Sequence, residues 1–225
     1  MSNNETKLLG EELADKHRAL RENIRSMGRV VVAFSGGIDS SLVAHVAATE
    51  LGVNALIATS GSASLKRSDL SLTQHLADRW KLNHRVITTD ELSNNEYRAN
   101  PTNRCFYCKT SLYTALQEIA ETEHYDYILN GTNTDDLGDH RPGLQAASDF
   151  SIRSPLVETN FCKHDIRALA GYLGLENAQK PQAACLSSRF PYGSHITQER
   201  LAQVEAAEDV LADLGFTQYR VRHHE

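Results

Sequence analysis

Three stretches of the chain hold residue types at spacings that could do chemistry. In the first, Ser35-Gly36-Gly37-Ile38-Asp39-Ser40-Ser41 follows Val30-Val31-Val32-Ala33-Phe34. Five apolar residues, three of them β-branched, predict a buried parallel strand, and the two glycines predict a turn that side chains would obstruct. Asp39, Ser40 and Ser41 suit the start of a helix expected over Ser40–Glu50, with Gly52 just past its end. Free N–H groups and the positive end of the helix dipole then face the turn, which makes it a phosphate site. A plain strand-to-helix turn is the alternative. The Walker lysine and the GxGxxG pattern are both absent.

The second stretch is Arg104-Cys105-Phe106-Tyr107-Cys108-Lys109, with Cys185 in a later loop. A helix start near Cys108 favours its thiolate, whereas an unperturbed thiol is only a few per cent ionised at neutral pH. The pair alone is compatible with zinc, a dithiol switch or an iron–sulfur cluster. Lys180 and Arg189 flank Cys185 and would also stabilise a thiolate. Cys162, in Asn160-Phe161-Cys162-Lys163, reads as an ordinary thiol. The third stretch is Tyr219-Arg220-Val221-Arg222-His223-His224. In a strand expected over Gln218–Arg222, Arg220 and Arg222 project from one face and His223 from the other. Two guanidiniums side by side favour an anion between them, unless they only solvate a sheet edge.

These residues need a frame. An amphipathic helix is expected over about Thr6–Ser26, and further strands over Ala55–Thr59, His84–Thr88 and Tyr125–Leu129. Helices are expected between them: one capped by Ser68 with Leu72, Leu76 and Trp80 on its inner face, and one running from the cysteine pair to about Glu121. Strands alternating with helices give an α/β fold with a doubly wound parallel sheet, Rossmann-like, whose ligands lie beyond the carboxyl ends of the strands. The loops after Phe34, Thr59 and Leu129 should therefore converge, bringing Ser60 and Gly131 to the phosphate turn. Helices at Asp165–Leu173 and Gln198–Leu214, the latter opened by Thr197, precede the last strand. A boundary near residue 180 divides the chain into a main domain, 1–180, and a small C-terminal α/β appendage, 181–225.

At 225 residues, 40% hydrophobic and 23% charged, the chain suits one sizeable soluble domain with an appendage. No apolar run approaches a membrane span, and the polar N-terminus lacks the apolar core of a signal peptide. The four cysteines therefore suit a reducing cytoplasm, where metal binding or catalysis is expected rather than a disulfide. A net charge of −6 argues against nucleic-acid binding through a basic surface.

The SGGxDSS run resembles the loop of the PP-loop ATP pyrophosphatases, which cut ATP between its α and β phosphates. The resemblance implies that Ser35, Gly36, Gly37, Ser40 and Ser41 hold the departing pyrophosphate, while Asp39 places Mg²⁺. RCFYCK at 104–109, GTNTDDLGDHRPG at 131–143, KPQAACLSSRFPYG at 180–193 and the RVR segment at 220–222 together resemble the LarE-type ATP-dependent sulfur transferases. The match runs in order from about residue 28 to 224, and other PP-loop branches share only the first motif. The family turns carboxylates of a pyridinium mononucleotide into thiocarboxylates for a nickel-pincer nucleotide. The likeness implies adenylylation of a carboxylate and a sulfur nucleophile from an outside sulfur donor. It also implies that Cys105, Cys108 and Cys185 hold a 4Fe-4S cluster, as in its three-cysteine members. In other members the cysteine at the position of Cys185 gives up its own sulfur. Arg189, Arg220 and Arg222 are implied to bind the substrate's phosphate. A cytoplasmic homo-oligomer without membrane or nucleic-acid partners is the corresponding expectation. The chain stops at Glu225, where the family is expected to continue. Two other readings are a PP-loop tRNA thiolase and a non-catalytic ATP-binding protein with a structural zinc.

Overall fold

The computed structural model describes residues 8–138, 142–181 and 184–224. The expected helix start at Thr6, residues 139–141 of the GTNTDDLGDHRPG motif and residues 182–183 of KPQAACLSSRFPYG lie outside them. Four parallel strands form one sheet: β1 (Val30–Ala33), β2 (Ala55–Ser60), β3 (His84–Ile87) and β4 (Tyr127–Leu129), in the order β3-β2-β1-β4. β1 pairs with β2 from Val30 opposite Ala55 and with β4 from Val30 opposite Tyr127. β1 is buried along its whole length, as a run apolar on both faces requires.

Alternate β1 residues serve two different cores, because successive side chains of a strand point to opposite faces. Val30 and Val32 face a layer made by α1 (Glu11–Arg25), α2 (Ile38–Leu51), α3 (Arg67–Trp80) and, later in the chain, a helix over Lys163–Tyr172. Val31 and Ala33 face Tyr113, Leu116 and Ala120 of a long helix, Arg104–Glu123, and Ala146 and Ala147 of the helix Pro142–Asp149. With the short helices Asn95–Arg98 and Pro155–Glu158, these elements are α4 (Asn95–Arg98), α5 (Arg104–Glu123), α6 (Pro142–Asp149), α7 (Pro155–Glu158) and α8 (Lys163–Tyr172). The doubly wound α/β architecture read from the strand and helix periods is the one observed.

The last helix, α9 (Gln198–Asp213), starts where expected, with the Thr197 hydroxyl accepting from the Arg200 N–H at 3.3 Å. It packs into a third apolar cluster with Tyr97, Leu186, Phe190, Ile196, Leu201 and Val204. The strand expected over Gln218–Arg222 does not form. A strand needs a neighbouring ladder, and here the Val221 N–H donates to the Glu208 carboxylate at 3.2 Å and the His223 N–H to the Arg189 carbonyl at 3.0 Å. No helix among the described residues is long and apolar enough to cross a membrane.

Two half-buried histidines are expected to make the fold sensitive to acid. His45 lies edge-on to Trp80, and burial, reinforced by His17, holds its pKa below the usual histidine value. Burial does the same for His84, which lies edge-on to Phe34, against a smaller opposing pull from Asp78. Each therefore takes up its proton at a lower pH in the folded protein than in the unfolded chain, where protonation sets in below about pH 6.5. Their contribution is therefore complete above that pH and is lost as pH falls from it. The melting temperature is expected to drop between pH 7.5 and 5.5. A His45→Gln/His84→Gln variant should show a flatter profile, and equal slopes for parent and variant would disprove the account.

Candidate active site

The phosphate turn is built as its residues demand. Phe34 prolongs β1 by donating its N–H to the Ala58 carbonyl at 2.8 Å. Gly36 then adopts φ +70°, and a Cβ there would meet the Thr73 methyl at 3.0 Å. α2 begins at Ile38, leaving the N–H groups of its first turn without intrahelical partners. The Ser40 hydroxyl closes the turn, accepting from the Ser35 N–H at 3.2 Å and donating to the Gly37 carbonyl at 3.0 Å.

A cavity of 620 Å³ opens at the carboxyl ends of the strands. Ser35, Gly37, Asp39, Ser40, Ser60 and Gly131 line it, as do Cys105, Cys108 and Cys185. Gly131 approaches so closely that a Cβ would stand 2.6 Å from the Ser40 nitrogen; only glycine fits there. Two of the residues expected to face the nucleotide stand behind the turn instead. Gly36 does not line the cavity, and Ser41 is fully buried, its hydroxyl 2.7 Å from the Asn177 amide nitrogen.

Asp39 stands in the first turn of α2, and Lys163 Nζ lies 2.6 Å from each of its carboxylate oxygens. Lys163 opens α8, and its N–H donates to Asp135 Oδ2 at 2.9 Å. Asn133 Nδ2 is 3.5 Å from Asp39 Oδ1. Both members of the ion pair are partly exposed, so a hard cation can compete for these carboxylate oxygens, the ligand type Mg²⁺ prefers. In the sequence, Asn160–Lys163 stands out only for its cysteine. The available signal was a lone lysine at a helix start, a position where acidic residues are the favoured ones.

Cys105 lies in the first turn of α5 and Cys108 in the second. Residues three apart share a helix face. The expectation of a stabilised Cys108 thiolate is reversed: burial pushes its thiol up to about 12, with the Glu91 carboxylate adding to the effect and Lys109 opposing it. The dipole's benefit fades within the first turn, and desolvation dominates beyond it. Among the described residues no group of three or more His, Cys, Asp or Glu side chains is gathered closely enough to hold a metal ion. The three thiols share the cavity without converging.

The cations beside Cys185 have other partners. Lys180 Nζ pairs with Asp69 Oδ1 at 2.8 Å. Arg189, 5% exposed, donates to the carbonyls of Ala184 (2.7 Å) and Cys185 (3.1 Å) and to Ser188 Oγ (3.0 Å). Its other edge grips Glu208 at 2.8 and 3.2 Å. Arg189, expected as a phosphate ligand, is buried here with its guanidinium bonded to the Cys185 loop and to Glu208. Glu208, 1% exposed, also takes Lys66 at 2.8 Å. Burial alone would raise the Glu208 carboxyl, but hydrogen bonds from Arg189 and Lys66 outweigh it and hold the group below the usual range.

The loop after β2 and the polar stretch after β3, both unremarkable as sequence, complete the support. Leu186 N–H donates to the Ser64 carbonyl at 2.9 Å, and Tyr97 and Ser187 share a hydroxyl hydrogen bond. Asn100 Nδ2 holds the Pro191 carbonyl at 2.8 Å, and Asn100 in turn accepts from Arg104. These residues tie the Cys185 loop to the start of α5. At the C-terminus Arg220 and Arg222 are exposed, while His223 stacks on Phe190 at 5.2 Å. Exposure alternates along the segment as expected of a strand, but no strand forms there among the described residues.

The asparagine synthase family model matches residues 16–141 of this chain. The chain is 44% identical over 210 residues to an uncharacterized protein of Synechocystis sp., covering 93% of this chain and 78% of that protein. It is 40% identical over 215 residues to the pyridinium-3,5-bisthiocarboxylic acid mononucleotide synthase of Lactiplantibacillus plantarum, covering 94% and 77% respectively. It is also 31% identical over 207 residues to an uncharacterized protein of Methanocaldococcus jannaschii, covering 91% and 77%.

Proposed function

The chain belongs to the LarE-type ATP-dependent sulfur transferases of the PP-loop superfamily, and from that premise we propose how its residues act on a pyridinium dicarboxylate mononucleotide. One observation carries the reading: the phosphate turn, Asp39 and three cysteines line a single cavity. A substrate carboxylate oxygen attacks the α-phosphorus of ATP, and the bond to the β-phosphate oxygen breaks. The first-turn N–H groups of α2, with Ser35 and Ser40, bind the departing pyrophosphate. Asp39 would hold Mg²⁺, releasing Lys163 toward a phosphate oxygen. A carboxylate is a poor electrophile, and its acyl adenylate has AMP as a good leaving group. Sulfur then attacks the carbonyl carbon and AMP departs, leaving the thiocarboxylate.

Cys105, Cys108 and Cys185 would hold a 4Fe-4S cluster, which would supply the attacking sulfur, taken from an outside donor. Three soft sulfur donors lining the one cavity support this assignment. The buried brace of Arg189 and Glu208 presents the Cys185 loop to α5. We assign residues 1–180 to the ATP pyrophosphatase domain and 181–225 to a substrate and oligomerisation region, whose apolar residues Leu186, Phe190, Ile196, Leu201 and Val204 close onto Tyr97 of the first. Exposed Val210, Leu214 and Phe216 suit a homo-oligomer, and four unpaired cysteines suit a reducing cytoplasm.

The anaerobically purified protein, given Mg-ATP and the pyridinium dicarboxylate mononucleotide, should release AMP and pyrophosphate and replace a carboxylate oxygen with sulfur. Nucleotide chromatography and product mass test both halves. Release of ADP and phosphate would refute the reading.

Arg220 and Arg222 receive the substrate's phosphate in this scheme, since both are exposed and alternate with anchored Val221 and His223. A hydrogen bond to a charged group contributes about 1.5–3 kcal/mol, so Arg220→Ala or Arg222→Ala should raise KM for the mononucleotide roughly ten- to a hundred-fold. KM for ATP should stay within about two-fold on the same scale. A selective rise in KM for ATP would contradict the assignment.

A further inference from the structure

The phosphate turn is held from behind by a residue far along the chain. Asn177, 5% exposed, lies in the loop between α8 and Cys185. Its Nδ2 is 2.9 Å from the Gly36 carbonyl oxygen and 2.7 Å from Ser41 Oγ. A carbonyl can only accept, so nitrogen must be the atom facing it. The other amide atom, Oδ1, is buried and has no partner among the described residues. Buried polar atoms are nearly always paired. With its acceptor unpaired, what this side chain contributes here is its two donated hydrogen bonds. The loop itself is fixed, with Ala178 N–H bonded to the Leu175 carbonyl, Lys180 N–H to the Asn177 carbonyl, and the Lys180 side chain to Asp69.

We propose that Asn177 is a positioning residue for pyrophosphate release, holding the Gly36–Gly37 peptide so that its N–H points into the cavity. In a trans peptide the C=O and N–H point in opposite directions. Pinning the Gly36 oxygen toward Asn177 therefore turns the Gly37 N–H the other way, toward Ser35 Oγ at 3.4 Å, and both Gly37 and Ser35 line the cavity while Gly36 does not. Gly36, at φ +70°, belongs to the residue type that flips most freely. Without the amide, the peptide can rotate and present an oxygen to an anion instead of an N–H. The second donation, to Ser41, ties the same amide to the first turns of α2. Asn177 touches neither nucleotide nor metal in this scheme and acts only through the turn.

This inference rests on the turn being the pyrophosphate site, and calorimetry with inorganic pyrophosphate and Mg²⁺ separates the two claims. The parent protein should bind pyrophosphate; no binding would remove both. Asn177→Leu, which keeps the branched skeleton without the polar atoms, and Asn177→Ala should each bind it about ten-fold or more weakly. KM for ATP should rise similarly while KM for the mononucleotide stays put. A purely structural brace would lower the melting temperature but leave the folded protein's pyrophosphate affinity unchanged. Unchanged affinity in either folded variant would overturn the proposal even though the parent binds.

Discussion

Asp39→Ala is expected to slow pyrophosphate release from ATP by about 10³-fold, the usual scale for deleting one preorganised charge-stabilising group from an active site. Asp39 sits in the first helical turn with a partly exposed side chain, and Lys163 and Asn133 are the side chains bonded to it. No apolar contact of the core depends on it, and a partly exposed ion pair contributes little to stability. The fold should survive, with a melting temperature close to the parent's. What disappears is the oxygen donor for Mg²⁺ beside the turn that holds the leaving group. Lys163, freed of its partner, keeps one positive charge there, so KM for ATP should change much less than kcat. A coupled pyrophosphate assay and thermal melts read both quantities. A loss of less than ten-fold in kcat, with an intact fold, would remove Asp39 from the mechanism.

Cys185→Ala should separate the two halves of the reaction. Adenylylation uses the phosphate turn and Asp39, so pyrophosphate release continues; thiocarboxylate formation should fall to the detection limit. Cys105→Ala and Cys108→Ala should likewise lose iron on anaerobic purification. Cys162→Ala should keep both iron and activity, because Cys162 caps α8, its thiol donating to Asp165 Oδ2 at 3.3 Å. Iron and acid-labile sulfide analysis supplies a readout independent of turnover. If Cys185 surrendered its own sulfur instead, intact mass after one turnover would show loss of the elements of H₂S. That loss in a fully active, iron-free protein would overturn the cluster assignment.

The unit from Val30 to Leu51 was legible in the sequence because everything that forms it is contiguous. Apolar run, glycine pair and helix-opening residues act over neighbouring positions, and the conformations they select are local. The same holds for β2, β3, the helix carrying Cys105 and Cys108, and the Thr197 cap. Their alternation also implied the parallel sheet and the convergence of Ser60 and Gly131 on the turn.

Tertiary structure alone decided which charged and polar groups meet. Lys163 reaches Asp39 across 124 residues and Asn177 reaches Gly36 across 141; neither pairing leaves a local pattern. Arg189 reads as a free cation in its loop until Glu208 and two carbonyls surround it, because burial and partner choice are properties of packing. Cys108 looks helix-activated until the third core cluster closes over it and desolvation reverses the sign. The Arg220–Arg222 segment has the alternation of a strand but no edge to pair with, and its N–H groups go to a carboxylate and a loop carbonyl instead. Backbone preference is encoded residue by residue, whereas the field and the solvent exposure at each side chain exist only once distant segments have packed.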